Sequence, residues 1–282
     1  MAEVAQRTML TRGDMGGVES FTEERLLDEF ALGRVETATG RTDPSAETSA
    51  RVHYQEQALE ALRLSPRYAA WLFDRCRPYL GKRVLDIGAG IGTFSTLAAQ
   101  HADEVVAVEP EARFASILSE RFAEESCVKI ARLEAGRLGP GTLGLPFDSI
   151  MCLNVLEHIE DDLDALVRLG AQLKPSGHLL LLVPAHPSLY GPLDEGIGHF
   201  RRYTKRKLGE KLNSAGFATT ELRYVNPVGW AAWLFYARLL RRKALSTGGA
   251  RGFDAIVPIV RPLDVLRLPF GLSLWAVARP RL

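Results

Sequence analysis

The sequence predicts an α/β protein built on a doubly wound, mostly parallel sheet with helices on both faces. Three observations predict it. From Val84 onward, short strand-like runs alternate with helix-like stretches. The strand runs are continuously apolar, the pattern of strands buried on both sides. The first of them, "VLDIGAGIGTFS" from Val84 to Ser95, enters a glycine-rich turn that opens a helix. In sheets of this kind such a turn lies at the carboxyl edge, where ligands bind.

The elements follow in order. Strands are expected at Arg83–Ile87, Glu104–Val108, Val128–Leu133, Ser149–Leu153, His178–Val183, Thr219–Val225 and Leu272–Ala278. Helices are expected near Thr93–Gln100, Glu111–Glu124, Asp162–Leu173 and Thr204–Ala215. Pro175-Ser176-Gly177 reads as a turn beyond a helix C-terminus. Ahead of the first strand, "SPRYAAWLFDRCRPYL" reads as a helix with Ser65 as its cap and Pro66 at its first position. The segment from Met1 to about Glu47 has weak periodicity; its start reads as mobile, with a helix around Glu23–Leu32. The chain divides into an N-terminal flexible or lid segment (1–64), a ligand-binding core (65–225), and an insertion plus final core strand (226–282). That insertion holds the aromatic "WAAWLFYARLLRRK" and a proline-broken second half.

Composition bounds the function. The 282 residues carry 46% hydrophobic and 24% charged residues, ordinary for a globular protein. A net charge of +1 gives no global field toward nucleic acid. Cys76, Cys127 and Cys152 form no CxxC pair, which speaks against a cysteine zinc site and fits a reducing cytoplasm. Each is expected to be a core residue rather than a nucleophile. No apolar run precedes Phe21, so no secretory signal is expected, and none is long enough to span a bilayer.

The glycine turn discriminates between ligands. Gly88, Gly90 and Gly92 alternate, with Ala89 between the first two. A dinucleotide fingerprint, GxGxxG, would place its third glycine at position 93, where Thr93 stands. Asp86, at the end of the strand, would repel a pyrophosphate on the same amides. It suits a ligand with a positive group, such as S-adenosylmethionine, which carries an ammonium and a sulfonium and no phosphate. Glu109, ending the second strand in "VVAVEP", is placed to accept hydrogen bonds from both hydroxyls of a ribose.

With "VLDIGAGIGTFS", "VVAVEP", "FDSIMCLNVLEHIED" and "LKPSGHLLLLVP" together, the chain resembles the class I S-adenosylmethionine-dependent methyltransferases over roughly residues 67–217. The resemblance implies a Rossmann-like seven-stranded sheet whose last strand is antiparallel. It also implies roles. Asp86 and the Gly88–Gly92 loop would hold the methionine end, Glu109 the ribose, Glu134 in "ARLEAG" the adenine amino group, and Asn154 the sulfonium side. "HFRRYT", "PAHPSLYG" and "LPFGLSLWAVARP" resemble a bacterial, often biosynthetic subgroup.

Methyl transfer from a sulfonium is an in-line displacement, so the protein mainly aligns the acceptor and excludes water. A hydroxyl acceptor also needs a base. His158, in "NVLEHIEDD", and His199, in "GHFRRYTKRKL", are the candidate catalytic residues. Glu157, His186, Tyr54, Arg201 and Arg202 are candidate contacts to the acceptor; the two arginines precede the helix cap and could grip an anionic group. Related ubiquinone-pathway and small-RNA enzymes hold a divalent ion with a Glu where this chain has Asn154. A neutral amide weakens a hard-cation site, so no obligatory metal is expected. The leading reading is O-methylation of a small molecule. N- or C-methylation on the same fold, a nicotinamide oxidoreductase and a non-catalytic cofactor-binding module are the alternatives. The insertion is expected to cover the acceptor pocket; core packing is favoured for it, though its aromatic and cationic composition also suits an interfacial membrane contact.

Overall fold

The computed structural model describes residues 44–238 and 247–281. The expected mobile start and the helix at Glu23–Leu32 lie outside them. The strands are β1 (Arg83–Ile87), β2 (Glu104–Val108), β3 (Val128–Ala131), β4 (Phe147–Leu153), β5 (Leu173–Pro184), β6 (Phe217–Val225) and β7 (Ser273–Pro280). They form one seven-stranded sheet in the order β3-β2-β1-β4-β5-β7-β6. The first five positions pair in parallel. β7 inserts antiparallel between β5 and β6. The strand order reverses direction between β1 and β4, and the crevice at such a switch point is where ligands bind.

Alternation along the strands divides the core. Leu85 and Ile87 of β1 face one cluster, with Ala165, Leu166 and Leu169 of α5 (Asp162–Gly170) and Leu208 and Leu212 of α7 (Lys205–Ser214). Val84 faces the other, with Leu72 and Phe73 of α2 (Pro66–Phe73), Phe94 and Ala98 of α3 (Thr93–Ala99), and Leu118 of α4 (Ala112–Arg121). Asp86 shares the side of Val84, because side chains two apart on a strand lie on one face. That register aims its carboxylate at α3. Cys76 and Cys152 are fully buried in these clusters, and burial pushes both thiols well above the usual range.

Two local expectations change. Pro175-Ser176-Gly177 lies inside β5 rather than in a turn before it. The pairing jumps from Phe147–Leu173 to Ser149–His178, so these residues bulge out of the ladder. Lys174 Nζ is held there by Asp148 at 2.6 Å. Ser65 precedes α2 as expected, but its hydroxyl donates to the Ala61 carbonyl at 2.9 Å instead of capping the helix. Thr204 does cap α7, accepting from the Lys207 amide at 3.2 Å.

Helix α1 (Pro44–Arg63) precedes the core. A short helix α6 (Pro192–Gly196) follows β5, and α8 (Pro227–Arg238) and α9 (Thr247–Val260) lie between β6 and β7. Helix α9 packs Val257 and Val260 on Trp71 of α2, and Asp254 accepts from the Tyr68 amide at 2.8 Å. Among the described residues no helix is long and apolar enough to cross a membrane.

Candidate active site

The glycine loop is built from conformations that side chains rarely adopt. Gly88, Gly90 and Gly92 have φ of +65°, +56° and +84°, the left-handed region that glycine enters without a Cβ penalty. The Gly88 and Ala89 amides donate to the Val108 carbonyl at 2.8 and 3.0 Å, which pins the loop to the end of β2. A Cβ on Gly90 would lie 2.6 Å from Leu59 Cδ2, so α1 rests directly on the loop.

Two carboxylates flank this loop. Asp86 is 2% exposed and accepts from the Ser95 hydroxyl at 2.6 Å. Burial pushes its pKa up to about 7; the Ser95 bond opposes this and nearby Glu109 adds to it. Glu109 is 6% exposed, and its two oxygens accept from the Gly90 amide at 2.8 Å and the Glu111 amide at 3.0 Å. Burial raises its pKa as well. A carboxylate oxygen has two acceptor positions, so Glu109 retains capacity for a ribose hydroxyl pair. A buried Asp that is costly to ionise alone fits a cationic ligand group, whose charge would offset the desolvation. The loop and this pair therefore fit S-adenosylmethionine. They do not fit a pyrophosphate.

Beyond β4, Asn154 adopts φ +55° and is exposed, its amide donating to the Leu182 carbonyl at 2.7 Å. Asn tolerates the left-handed conformation better than most residues. The chain then turns inward. Glu157 is fully buried, and neither carboxylate oxygen has a hydrogen-bond partner. Burial pushes it up to about 8. His158 is pushed down to about 3, first by burial and then by the neighbouring His199.

The two candidate histidines meet edge to face, with ring centroids 4.6 Å apart. His199 Nε2 lies 3.7 Å from Glu157 Oε1, and its Nδ1 lies 2.8 Å from Asp194 Oδ1. Asp194, on α6, is 1% exposed and also accepts from Arg202 Nε at 2.8 Å. Burial works to raise its pKa, but the His199 bond and the Arg202 charge hold it below the usual range. Sequence reasoning missed Asp194. Its signal was an acid five residues ahead of a candidate base, shared ambiguously with Glu195 four residues ahead.

Arg201 and Arg202 are engaged within the protein rather than held free for an anion. Arg202 is 6% exposed; it donates to Asp194 and the Ala185 carbonyl and lies 4.7 Å over the Trp233 ring. Arg201 pairs with Asp162 at 3.0 Å and donates to the Glu160 carbonyl at 2.7 Å. Tyr203 is buried and donates to Asp162 at 2.8 Å. His186 stacks on Tyr224 with centroids 5.0 Å apart and planes 6° from parallel; Trp230 lies 6.2 Å beyond, in turn 5.0 Å from Phe270. Tyr54 of α1 lies against Gly196, and Gln55 donates to the Ile197 carbonyl at 3.2 Å. Glu134 lies three residues beyond β3, largely exposed, paired to Arg137 at 3.5 Å.

Glu157, His158 and His199 each offer a ligand atom within 4.8 Å of the others. Burial raises the cost of ionising Glu157 when no cation lies beside it, and Asn154 adds no charge to the cluster.

Comparison with known proteins agrees with this geometry. Residues 54–222 match the family model described as a methyltransferase domain. A mitochondrial ubiquinone biosynthesis O-methyltransferase from Schizosaccharomyces pombe is 35% identical over 105 residues, 36% of this chain and 38% of that protein. Ubiquinone biosynthesis O-methyltransferases from Azorhizobium caulinodans and Xanthomonas axonopodis are 30% and 27% identical, over 52% and 64% of this chain and 62% and 79% of theirs. The matches to the first two thus span about two fifths and three fifths of those proteins. The fold is shared with a methyltransferase from Clostridium acetobutylicum (TM-score 0.52, 11% identity, 91% of this chain and 99% of that one). It is also shared with a Haemonchus contortus phosphoethanolamine N-methyltransferase in complex with S-adenosylmethionine (TM-score 0.53, 18% identity, 76% of this chain and 52% of that one). With the methyltransferase-domain model matched over residues 54–222, the chain belongs to the class I S-adenosylmethionine-dependent methyltransferases.

Proposed function

We propose that this methyltransferase acts on a hydroxyl of a small-molecule acceptor in a biosynthetic pathway, with His199 as the base. The observation that carries the reading is the 2.8 Å bond between His199 Nδ1 and buried Asp194. A carboxylate on Nδ1 holds that nitrogen protonated and leaves Nε2 as the acceptor of a proton. The named activity of the ubiquinone biosynthesis O-methyltransferases supports oxygen as the atom methylated. The free cysteines agree with a reducing cytoplasm.

S-Adenosylmethionine, when bound, supplies an activated methyl group. Asp86 and the Gly88–Gly92 loop orient its methionine end and Glu109 its ribose, with Asn154 at the carboxyl edge beside them. Glu134, exposed three residues beyond β3, is kept as the candidate contact to the adenine. His199 takes the acceptor's proton at Nε2. Asp194 stabilises the imidazolium that forms, and Arg202 keeps Asp194 ionised and in place. His158, neutral because burial holds its pKa near about 3, positions the acceptor or the His199 ring. His186 and the aromatic side chains beside it offer the acceptor a flat apolar wall. Helix α1, through Tyr54 and Leu59, covers the loop and excludes water.

Single-turnover assays with a panel of phenol and alcohol acceptors test the reading. The expected result is O-methylated product with wild type and a chemical step slowed roughly 10²–10⁴-fold in His199→Ala. An unchanged rate in that variant would remove the histidine base. Methylation of amines alone would replace oxygen as the target.

A further inference from the structure

We propose that the outer face of the α9 region, residues 251–267, is a docking surface for an anionic lipid bilayer. Helix α9 is apolar on two faces. One is consumed by packing: Val257 and Val260 are buried against Trp71. The other faces solvent. Ile256 is 41%, Ile259 76%, Leu263 37%, Val265 81% and Leu266 62% exposed. Ile256, Ile259 and Leu263 follow helical spacing into the 3₁₀ turn Arg261–Leu266. A contiguous outward apolar face of this kind marks an interaction surface.

The charges select the partner. Both carboxylates of the segment turn inward and are engaged: Asp254 accepts from the Tyr68 amide, and Asp264 pairs with Arg75 and accepts from the Asn226 amide at 2.9 Å. The charges left outside are Arg251, Arg261 and Arg267, of which Arg261 also reaches Asp74 at 2.9 Å. Arginines flanking exposed aliphatic side chains, with the acids withdrawn, complement a negatively charged headgroup layer over an acyl boundary. The Trp230–Phe270 contact links the end of this segment to the aromatic wall beside His186, so docking here would bring that wall close to the bilayer.

The test is flotation of the full chain with vesicles of phosphatidylcholine alone and of phosphatidylcholine with phosphatidylglycerol. The expected result is binding to the anionic vesicles, weakened by salt, and reduced about tenfold or more in Ile259→Glu and Val265→Glu. Both sites are largely exposed, so thermal melting and S-adenosylhomocysteine binding should stay unchanged. Absence of flotation, equal flotation on neutral vesicles, or wild-type flotation by both variants overturns the proposal. So does a dimer in light scattering that either variant dissolves without any vesicle binding, which would give the face to a second copy of the chain.

Discussion

His199 Nδ1 and Asp194 Oδ1 lie 2.8 Å apart across the turn that follows α6, and both side chains are nearly excluded from solvent. Arg202 reaches the same Asp194 oxygen. One carboxylate thus sets the orientation of the ring and is itself anchored by a buried cation.

Asp194→Asn tests that arrangement. The amide can present its NH₂ to Nδ1 and stabilise the wrong tautomer. Turnover should fall roughly 10²-fold or more while S-adenosylhomocysteine affinity stays within about twofold. Isothermal calorimetry beside single-turnover kinetics separates the two. An equal loss of cofactor binding would show that Asp194 acts through the fold alone.

His158 and His199 should divide in kinetics. His199→Ala should lower kcat; His158→Ala should act mainly on the acceptor KM. The two rings touch, so the double variant should be non-additive. Strict additivity would mean that they work independently.

Cofactor binding should release protons. Asp86, held near about 7 by burial in the free protein, should ionise when an ammonium group arrives. At pH 6 the calorimetric enthalpy should therefore depend on the ionisation enthalpy of the buffer, and affinity should rise with pH up to about 7. Asp86→Asn should abolish the buffer dependence and weaken binding by roughly 1–3 kcal/mol. A buffer-independent enthalpy in wild type would place the ammonium elsewhere.

Two buried acids should lower stability as pH rises from about 4 to about 8. The folded values of Asp86 and Glu157, about 7 and about 8, lie above their ordinary values of 3.8 and 4.5. The folded chain then holds protons that the unfolded chain has released, so this stability is present at low pH and lost as pH rises through 7 and 8. His158 acts the other way between its ordinary 6.5 and about 3, so its contribution is lost on acidification. Glu157→Gln should flatten the decline in Tm between about pH 5 and 8. A decline as steep as in wild type would locate its source in other groups.

Chelation should leave the enzyme active. Asn154 brings no charge where a carboxylate would serve a hard cation, so dialysis against EDTA should change kcat by less than about twofold, the cost of a lost hard-cation ligand set being far larger. Loss of activity restored by a divalent ion would make Glu157, His158 and His199 a metal site.

The strands and the cofactor loop were legible because their signals are local. Val84, Leu85 and Ile87 are apolar because β1 is buried on both sides, and Gly88, Gly90 and Gly92 stand where φ is positive. Asp86 and Glu109 could be placed because each ends a strand. Bounds drifted where pairing outweighed local preference, as at Pro175-Ser176-Gly177, which β4 holds in a bulge of β5. Arg201 and Arg202 read as candidate contacts to an anionic group because composition cannot say which acceptors a fold will bring to them.

By itself, then, the sequence determined the layered sheet, the cofactor and the residues that end its strands, since apolar period and glycine placement act within a few residues. Only the tertiary structure decided the chemistry of the second half of the site. It brought His158 from the end of β4 against His199 from beyond β5, supplied Asp194 as the partner of His199, and left Glu157 buried without a hydrogen bond. Those relations depend on distances between segments remote in the chain, and on desolvation, which is a property of the packed whole rather than of any residue in it.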